Sequence, residues 1–493
     1  MKQIKAVKRQ LKRHQLCIMF GILCISVFVT FYINYFAWKK HTLLKKAADY
    51  PAQFINFVRY MTQSDHGFWF WKDGVRKYAN HLQFLRGYLT DQNLTHVPNA
   101  LTKQSTCPAC FGEDACSAIS NGDVKILKSN NGDMTYRGVY FGKWDDKDIV
   151  LKQLVTDHEE GFKNFDKFLC KHSQKRWLCR GPEVIKQTFI GARDAMKLEN
   201  LAKGFNITRE GAGLKLCLTT RFIRKLQQLY DIDDNNKLSA HESSIMYTSL
   251  VVNPEAALLK FFSSLDNLWP FPKYYGACGR AVIAENGGKP LVDYLNQPWE
   301  IRASLALQLL EVVQYMLHGD PNWSVFYVDI NYDNIAITSS EKLSFIDLED
   351  LTLLDKKEFD QGETEVRRDK PCNEECFGQF AAAMYGKNAR DFCSTIPIYS
   401  DVMFALVCQK ILSDLEEHKK RSWFTDPKIE IKSPDGLLHS IPYHFKTTIE
   451  KSLRECVEER EVDGRIQAVE YLRGALVESL GSAGGAGADE GKE

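Results

Sequence analysis

The spacing of hydrophobic and polar positions changes several times along the chain. Leu16 to Trp38 is a run of 23 residues without one charge. As a helix it would be about 35 Å long, enough to cross a hydrocarbon core of about 30 Å. Phe54, Phe57, Val58 and Met61 follow at helical spacing. Asp123–Lys128, Tyr136–Gly142 and Asp148–Leu154 read as short strands. The first two are joined by the turn sequence Asn130-Asn-Gly-Asp133, and a helical stretch from Thr156 to Cys170 comes next. A helix–loop–helix pattern occupies 218–262. Two β-like runs then lead to the break Glu285-Asn-Gly-Gly. Trp299–Leu317 places Leu305, Leu309, Val312, Val313 and Met316 on one side of an amphipathic helix. Asn322–Thr338 and Leu343–Leu354 hold short strands, and helices dominate to about 480. The glycine-rich end from Gly481 has no hydrophobe and is expected to be disordered.

Charge refines this picture. The net charge is only +1, which argues against nucleic acid as a partner. Yet the first 46 residues hold ten Lys/Arg and no acid. Lys2, Lys5, Lys8, Arg9, Lys12 and Arg13 precede the apolar run, and four lysines follow it. That bias predicts a cytosolic head at 1–15, an uncleaved signal anchor at 16–38 and a lumenal body. The exit from the run, Tyr-Phe-Ala-Trp-Lys-Lys, is a poor signal-peptidase site. Twelve of the fourteen cysteines lie beyond the anchor, as expected of a disulfide framework whose connectivity sequence does not fix. Zinc held by Cys107-x2-Cys110 and Cys372-x3-Cys376 is the rival, disfavoured because no His stands at ligand spacing. Asn93, Asn206 and Asn322 begin glycosylation sequons.

Strands, a helix, an insertion, two more strands and a helical half form the order of a bilobal kinase. Phosphoryl transfer needs a cation on the nucleotide phosphates, oxygen ligands for a metal and a carboxylate near the acceptor. Ile149-Val-Leu-Lys152 resembles the kinase lysine strand. Tyr327-Val-Asp329-Ile-Asn-Tyr-Asp-Asn334 resembles His-Arg-Asp-x4-Asn, and Phe345-Ile-Asp347-Leu-Glu resembles the run ending in Asp-Phe-Gly. Asp329 and Asp347 stand 18 residues apart, the spacing usual in such segments. The bland alternative is that these acids cap turns and end strands. Glu159 or Glu160, on the next helical stretch, is the expected partner of Lys152. Departures are plain: the phosphate-covering turn has one glycine, His-Arg is Tyr-Val, Asp-Phe-Gly is Asp-Leu-Glu, and no Ala-Pro-Glu follows.

From Lys152 to Asp329 there are 177 residues, more than an unadorned kinase needs. The excess contains Asp231-Ile-Asp233-Asp-Asn235-Asn-Lys237-Leu-Ser239-Ala-His-Glu242. Asp231, Asp233, Asn235, Ser239 and Glu242 fill the side-chain ligand positions of a calcium loop, and Lys237 would offer its carbonyl. Asn236 replaces the usual glycine, which Asn tolerates because it visits the left-handed region. A helix-capping acidic loop is the alternative.

These pieces together resemble the divergent protein kinase domain proteins of the secretory pathway, in particular the deleted-in-autism branch. Cys107 to Gly112, Asn253-Pro-Glu255, Trp269 to Arg280, Pro298-Trp-Glu300 and Gly436-Leu-Leu-His439 carry the resemblance with the catalytic segment. It implies an α+β, bilobal protein-kinase-like fold with an EF-hand-like insert near 218–262. The small lobe would span 105–290 and the large lobe 291–480, between a membrane-proximal stalk at 39–104 and a disordered tail at 481–493. It also implies residence in the ER or Golgi, or secretion, with secretory-pathway or cell-surface proteins as partners. In roles carried over by the motifs, Lys152 contacts the phosphates of ATP and Asp329 accepts the acceptor proton. Asn334 and Asp347 hold Mg2+ or Mn2+. The rival is a pseudokinase, a calcium-regulated signalling or scaffold module without catalysis.

Overall fold

The computed structural model describes residues 94–127, 138–154, 219–265, 269–359, 401–419 and 435–485, with 166, 167, 170, 183, 184, 217, 370–372, 376 and 380. All lie in the unit Arg86–Glu493. The apolar run at 16–38, the stalk as far as 93, Asn93, Asn206, Glu159, Glu160 and the turn at 130–133 lie outside the described residues. Among the described residues no helix is long and apolar enough to cross a membrane.

The first half of this unit is built on a six-stranded antiparallel sheet in the order β1-β2-β3-β4-β6-β5. These strands are β1 (Leu94–His96), β2 (Val124–Leu127), β3 (Val139–Trp144), β4 (Lys147–Lys152), β5 (Tyr274–Cys278) and β6 (Ala281–Glu285). Strand β1 lies ahead of the boundary read at 105 and pairs with β2. Asp145, in the left-handed region at φ 52°, closes the β3–β4 hairpin. Gly279 closes β5–β6 at φ 59°, where a Cβ would sit 1.5 Å from the Thr102 carbonyl oxygen. No side chain fits there.

One face of the sheet buries Val124, Ile126, Ile149, Leu151 and Ile283 against Ile119, and the Cys116–Cys278 disulfide pins this layer. The other face packs Ala277, Val282 and Ala284 into the larger core, which three helices enter. These are α1 (Thr220–Tyr230), α2 (Ala240–Val252) and α3 (Glu255–Ser263). Thr219 caps α1, and Phe222, Leu226 and Tyr230 recur at the spacing that buries one face. Arg221 anchors the opening turn: its Nε donates to Asp355 at 2.8 Å and its guanidinium lies 4.3 Å from the Trp323 ring.

Beyond this sheet comes α4 (Trp299–Gln314), which continues through a π turn, Tyr315–Gly319. Strand β8 (Trp323–Tyr327) pairs with β11 (Leu351–Asp355). Strands β9 (Ile335–Ile337) and β10 (Leu343–Phe345) make a sheet with β7 (Lys289–Pro290). Asn322, of the third sequon, is half-buried before β8, and its Oδ1 accepts from Arg221 Nη1 at 2.9 Å. Helix α5 (Val402–Val407) and its π turn, Cys408–Leu412, sit deep in the core, against α6 (Tyr443–Val457) and α7 (Gly464–Gly485).

The Arg465 side chain is fully buried. Its Nη1 meets Asp401 at 2.8 Å and Glu459 at 3.7 Å, and its other nitrogens donate to the Cys456 and Cys372 carbonyls. Helix α7 runs to Gly485, so the tail expected to be disordered from 481 begins as helix. Extending an existing helix adds a hydrogen bond per residue without the cost of a new nucleus.

Cysteine placement decides between the two readings of the Cys-x-x-Cys segments. Cys107–Cys110 and Cys372–Cys376 are disulfides, not zinc half-sites. Cys408–Cys456 links the π turn to α6. Every described cysteine is disulfide-bonded, Cys170 and Cys217 included, as in a secretory or lumenal protein.

Candidate active site

Lys152 ends β4, held between β3 and β6. Its ammonium donates to Glu255 Oε1 at 2.8 Å and to the Ile346 carbonyl. Burial works to lower its pKa, but the Glu255 and Asp347 carboxylates outweigh that and hold it above its usual value. Glu255 is pushed up to about 7 by burial, with Asp347 adding and Lys152 opposing. Above that pH the pair is ionised.

The partner of Lys152 is therefore Glu255, on α3, where the sequence reading looks to Glu159 or Glu160. The reason is topological. Glu255 lies 103 residues on from Lys152, on a helix that comes after the helix–loop–helix insert. Asn253-Pro254-Glu255 carried the signal, because an Asn and a Pro ahead of an acidic first turn mark a helix start. Asn253 is buried and bifunctional. Its Oδ1 accepts from the Glu255 amide, and its Nδ2 donates to Glu349 Oε2, both at 2.9 Å.

Asp329 lies two residues past the end of β8. Asn334 Nδ2 donates to Asp329 Oδ2 at 2.7 Å and Asn331 Nδ2 to Oδ1 at 3.2 Å. Asn331 Oδ1 in turn accepts from the amides of Asp333 and Asn334 at 3.0 Å. Ile346, just before Asp347, donates its amide to the Asn334 carbonyl at 3.0 Å. The two motif segments thus form one unit, and Lys152 closes on it through Ile346. Tyr327, in the histidine position of the motif, is buried. Its phenol pKa is raised well above 10 by burial and by Asp347 and Asp329, so it stays protonated.

The site carries excess negative charge. Glu349, two residues past Asp347, is pushed up to about 7 by burial, by Asp347 and by Glu255. The carboxylates of Glu255, Asp347 and Glu349 act on Lys152, and those of Asp347, Asp329 and Glu255 act on Tyr327.

The predicted calcium ligands occupy the loop between α1 and α2. Carboxylate oxygens of Asp231, Asp233 and Glu242 lie within 4.8 Å of one another. Asn236 adopts φ 62°, the left-handed conformation required of it. Asp231 accepts from the Asn235 and Asn236 amides at 3.2 and 2.6 Å. Asn235 is turned onto Asp233 at 2.7 Å, and Lys237 donates its amide to Asn235 Oδ1 at 2.8 Å. Ser239 and Glu242 form a capping box at the start of α2. Burial works against ionising Glu242, but hydrogen bonds from Ser239 and Ile232 outweigh it and hold its pKa low. Asp233 is held high, by desolvation and then by Asp231 and Glu242.

Residues 246–459 match the family model described as the protein-kinase domain of FAM69. The chain is similar to proteins named divergent protein kinase domain 2A and 2B. Divergent protein kinase domain 2A of Mus musculus is 27% identical over 404 residues, 76% of this chain and 86% of that protein. The Homo sapiens 2A protein is 26% identical over 425 residues, 80% of this chain and 89% of that one. Divergent protein kinase domain 2B of Bos taurus is 24% identical over 341 residues, 64% and 72% of the two chains. The kinase-domain match includes Glu255, Asp329, Asn334 and Asp347 but begins beyond Lys152 and the calcium-type loop.

Proposed function

We propose that this chain binds ATP with Mg2+ or Mn2+ in the cleft around Lys152 and transfers the γ-phosphoryl group to a hydroxyl of a secretory-pathway substrate. The observation that carries this reading is the Lys152–Glu255 ion pair at 2.8 Å, beside Asp347 and bonded to its segment through Ile346. A lysine paired with a helix glutamate and an aspartate for the metal must both be in place for kinase chemistry. Lys152 would orient the nucleotide phosphates, and Asp329, aimed by Asn331 and Asn334, would take the acceptor proton. Asn334 has its amide nitrogen committed to Asp329, which leaves its carbonyl oxygen for the metal beside Asp347. Asn334 and Asp347 would hold the metal, which would offset the charge of the phosphates.

The helix–loop–helix between the lysine strand and α3 would bind Ca2+ through Asp231, Asp233, Asn235, the Lys237 carbonyl, Ser239 and Glu242. Three converging carboxylates and the left-handed Asn236 support it. A lumenal body behind a signal anchor at 16–38 completes the proposal, supported by the charge bias of the head and by the disulfides.

A second reading, a pseudokinase signalling or scaffold module, is favoured by Glu349 standing where kinases have glycine and by its bond to Asn253. Thermal shift of the purified protein with ATP and Mn2+, followed by a phosphate-release and substrate-labelling assay, separates the two. A shift with turnover supports the enzyme. No shift supports the scaffold and defeats the proposal.

A further inference from the structure

Charge in phosphoryl transfer spreads over the equatorial oxygens of the moving group, and cations facing that group stabilise it most. Lys152 approaches from the nucleotide side and is already held by Glu255 and Ile346. The segment from Asp329 to Asn334 contains no Lys or Arg. A cation for the acceptor side must come from another part of the fold.

The π turn Cys408–Leu412 is bonded directly to that segment. Tyr332 donates its hydroxyl to the Ile411 carbonyl at 2.6 Å, and Tyr332 stands between Asp329 and Asn334 in the chain. Leu437 and Leu438 donate their amides to the Ile411 and Leu412 carbonyls at 2.7 and 3.0 Å, and Cys408–Cys456 ties down the start of the turn. A π turn inserts one residue into a helix, re-aims the side chains around it and recurs at functional sites. Cys408, Gln409, Ile411 and Leu412 are all buried, whereas Lys410 between them is half-buried. It is the one charged residue from Val402 to Leu412. Its charge acts on that of Asp329, while burial pulls its pKa down.

We infer that Lys410 is a catalytic residue, its ammonium binding the γ-phosphoryl group of ATP on the acceptor side, next to Asp329. This rests on the phosphotransfer reading above. In the step it serves, the acceptor oxygen bonds to the γ phosphorus and the bond from that phosphorus to the β–γ bridging oxygen breaks. The bonding pair leaves on ADP, and the acceptor proton goes to Asp329. Lys410 stays protonated and moves no proton.

A cation specific for the γ-phosphoryl group distinguishes ATP from ADP. The test is calorimetric binding of each nucleotide, with Mn2+, to the full-length chain in detergent and to its Lys410→Met, Lys410→Gln and Lys410→Arg variants. The expected result is that Lys410→Met and Lys410→Gln lose about tenfold or more in ATP affinity, with ADP affinity unchanged. Lys410→Arg should keep most of the ATP preference, and turnover at saturating ATP should fall about 100-fold in the neutral variants. Equal losses for ATP and ADP would mean that Lys410 only supports the fold, and an unchanged ratio with unchanged turnover would remove it from the site. Either result overturns the inference and leaves the nucleotide site standing. A parent chain that binds neither nucleotide overturns the phosphotransfer reading, and this inference with it. If Lys410→Met does not fold, Lys410→Gln and Lys410→Arg decide by the same ratio.

Discussion

Asn253 and Glu349 are joined by a 2.9 Å hydrogen bond that links the end of the calcium-type insert to the residue two past Asp347. The same Asn side chain accepts from the Glu255 amide, so one buried residue supports both the start of α3 and the acid two residues past Asp347. Asn253→Ala should lower stability by about 1–2 kcal/mol, the loss of a cap and of a bond to a charged group. Denaturant melts check this. Mn2+-dependent ATP affinity should fall with it, because Glu255 and Glu349 both lose their support.

The pH response of the cleft has a definite sign. Glu255 has a folded pKa raised to about 7 from an ordinary 4.5, so its protonated form favours the folded state. Its contribution to metal-free stability is fully present below 4.5 and is lost as pH rises through about 7. Nucleotide binding runs the other way, since protonating Glu255 below about 7 dissolves the ion pair with Lys152. ATP affinity should therefore drop on acidification, with a midpoint that moves to lower pH as Mn2+ is raised. Isothermal titration at pH 6 and 8, with Glu255→Gln as the reference that lacks this titration, checks both signs.

Asp347→Asn should remove the metal-dependent thermal shift with ATP while the fold stays intact. Asp329→Asn should bind ATP within about twofold of the parent yet stop transfer, a drop of about 100-fold or more for loss of the base. Equal binding and turnover in both variants and the parent would sink the assignment.

Much of this was legible in the chain because the relevant residues are close in sequence. Asp329, Asn334 and Asp347 sit on two short strand–loop units, and their spacing alone put them together. The calcium-type loop is local for the same reason, down to the left-handed Asn236. What failed was the long-range link. Lys152 and Glu255 are 103 positions apart, with two helices of an insert between them, and spacing says nothing about which helix packs on the lysine strand. Lys410 was invisible for a stronger reason. Its place depends on a π turn in a helix that otherwise reads as buried hydrophobic core.

The calcium-type loop should respond to Ca2+ independently of the cleft. Desolvation, and then Asp231 and Glu242, keep Asp233 high, and a bound cation relieves the repulsion among the three carboxylates. Millimolar Ca2+ added after chelation should raise the melting temperature, an effect that grows with concentration. Glu242→Gln should abolish that rise and Asp347→Asn should keep it. Differential scanning fluorimetry with and without Ca2+ reads the four combinations.

Arg465→Met leaves Asp401 and Glu459 without their shared cation, in a site where the Arg465 and Glu459 side chains are fully buried. Breaking such a buried pair costs about 3–5 kcal/mol. The variant should melt far below the parent, with poor recovery from secretion. A melting temperature unchanged from the parent would contradict the buried network.

The β4–β6 pairing sets a timetable for biosynthesis. Lys152 lies against Val282, 130 positions later in the chain. At about 5–20 residues per second, the emerging β4 waits on the order of ten seconds for that partner. Until then its Ile149-Val-Leu edge is a bare template for pairing with any other extended segment. Helices α1 to α3 are spun out in the interval, and their local contacts can form without waiting. The insert is thus a folding unit that matures between two halves of one sheet. The strand carrying Lys152 is completed only after it, so the yield of correctly closed protein depends on what shields that edge during translation.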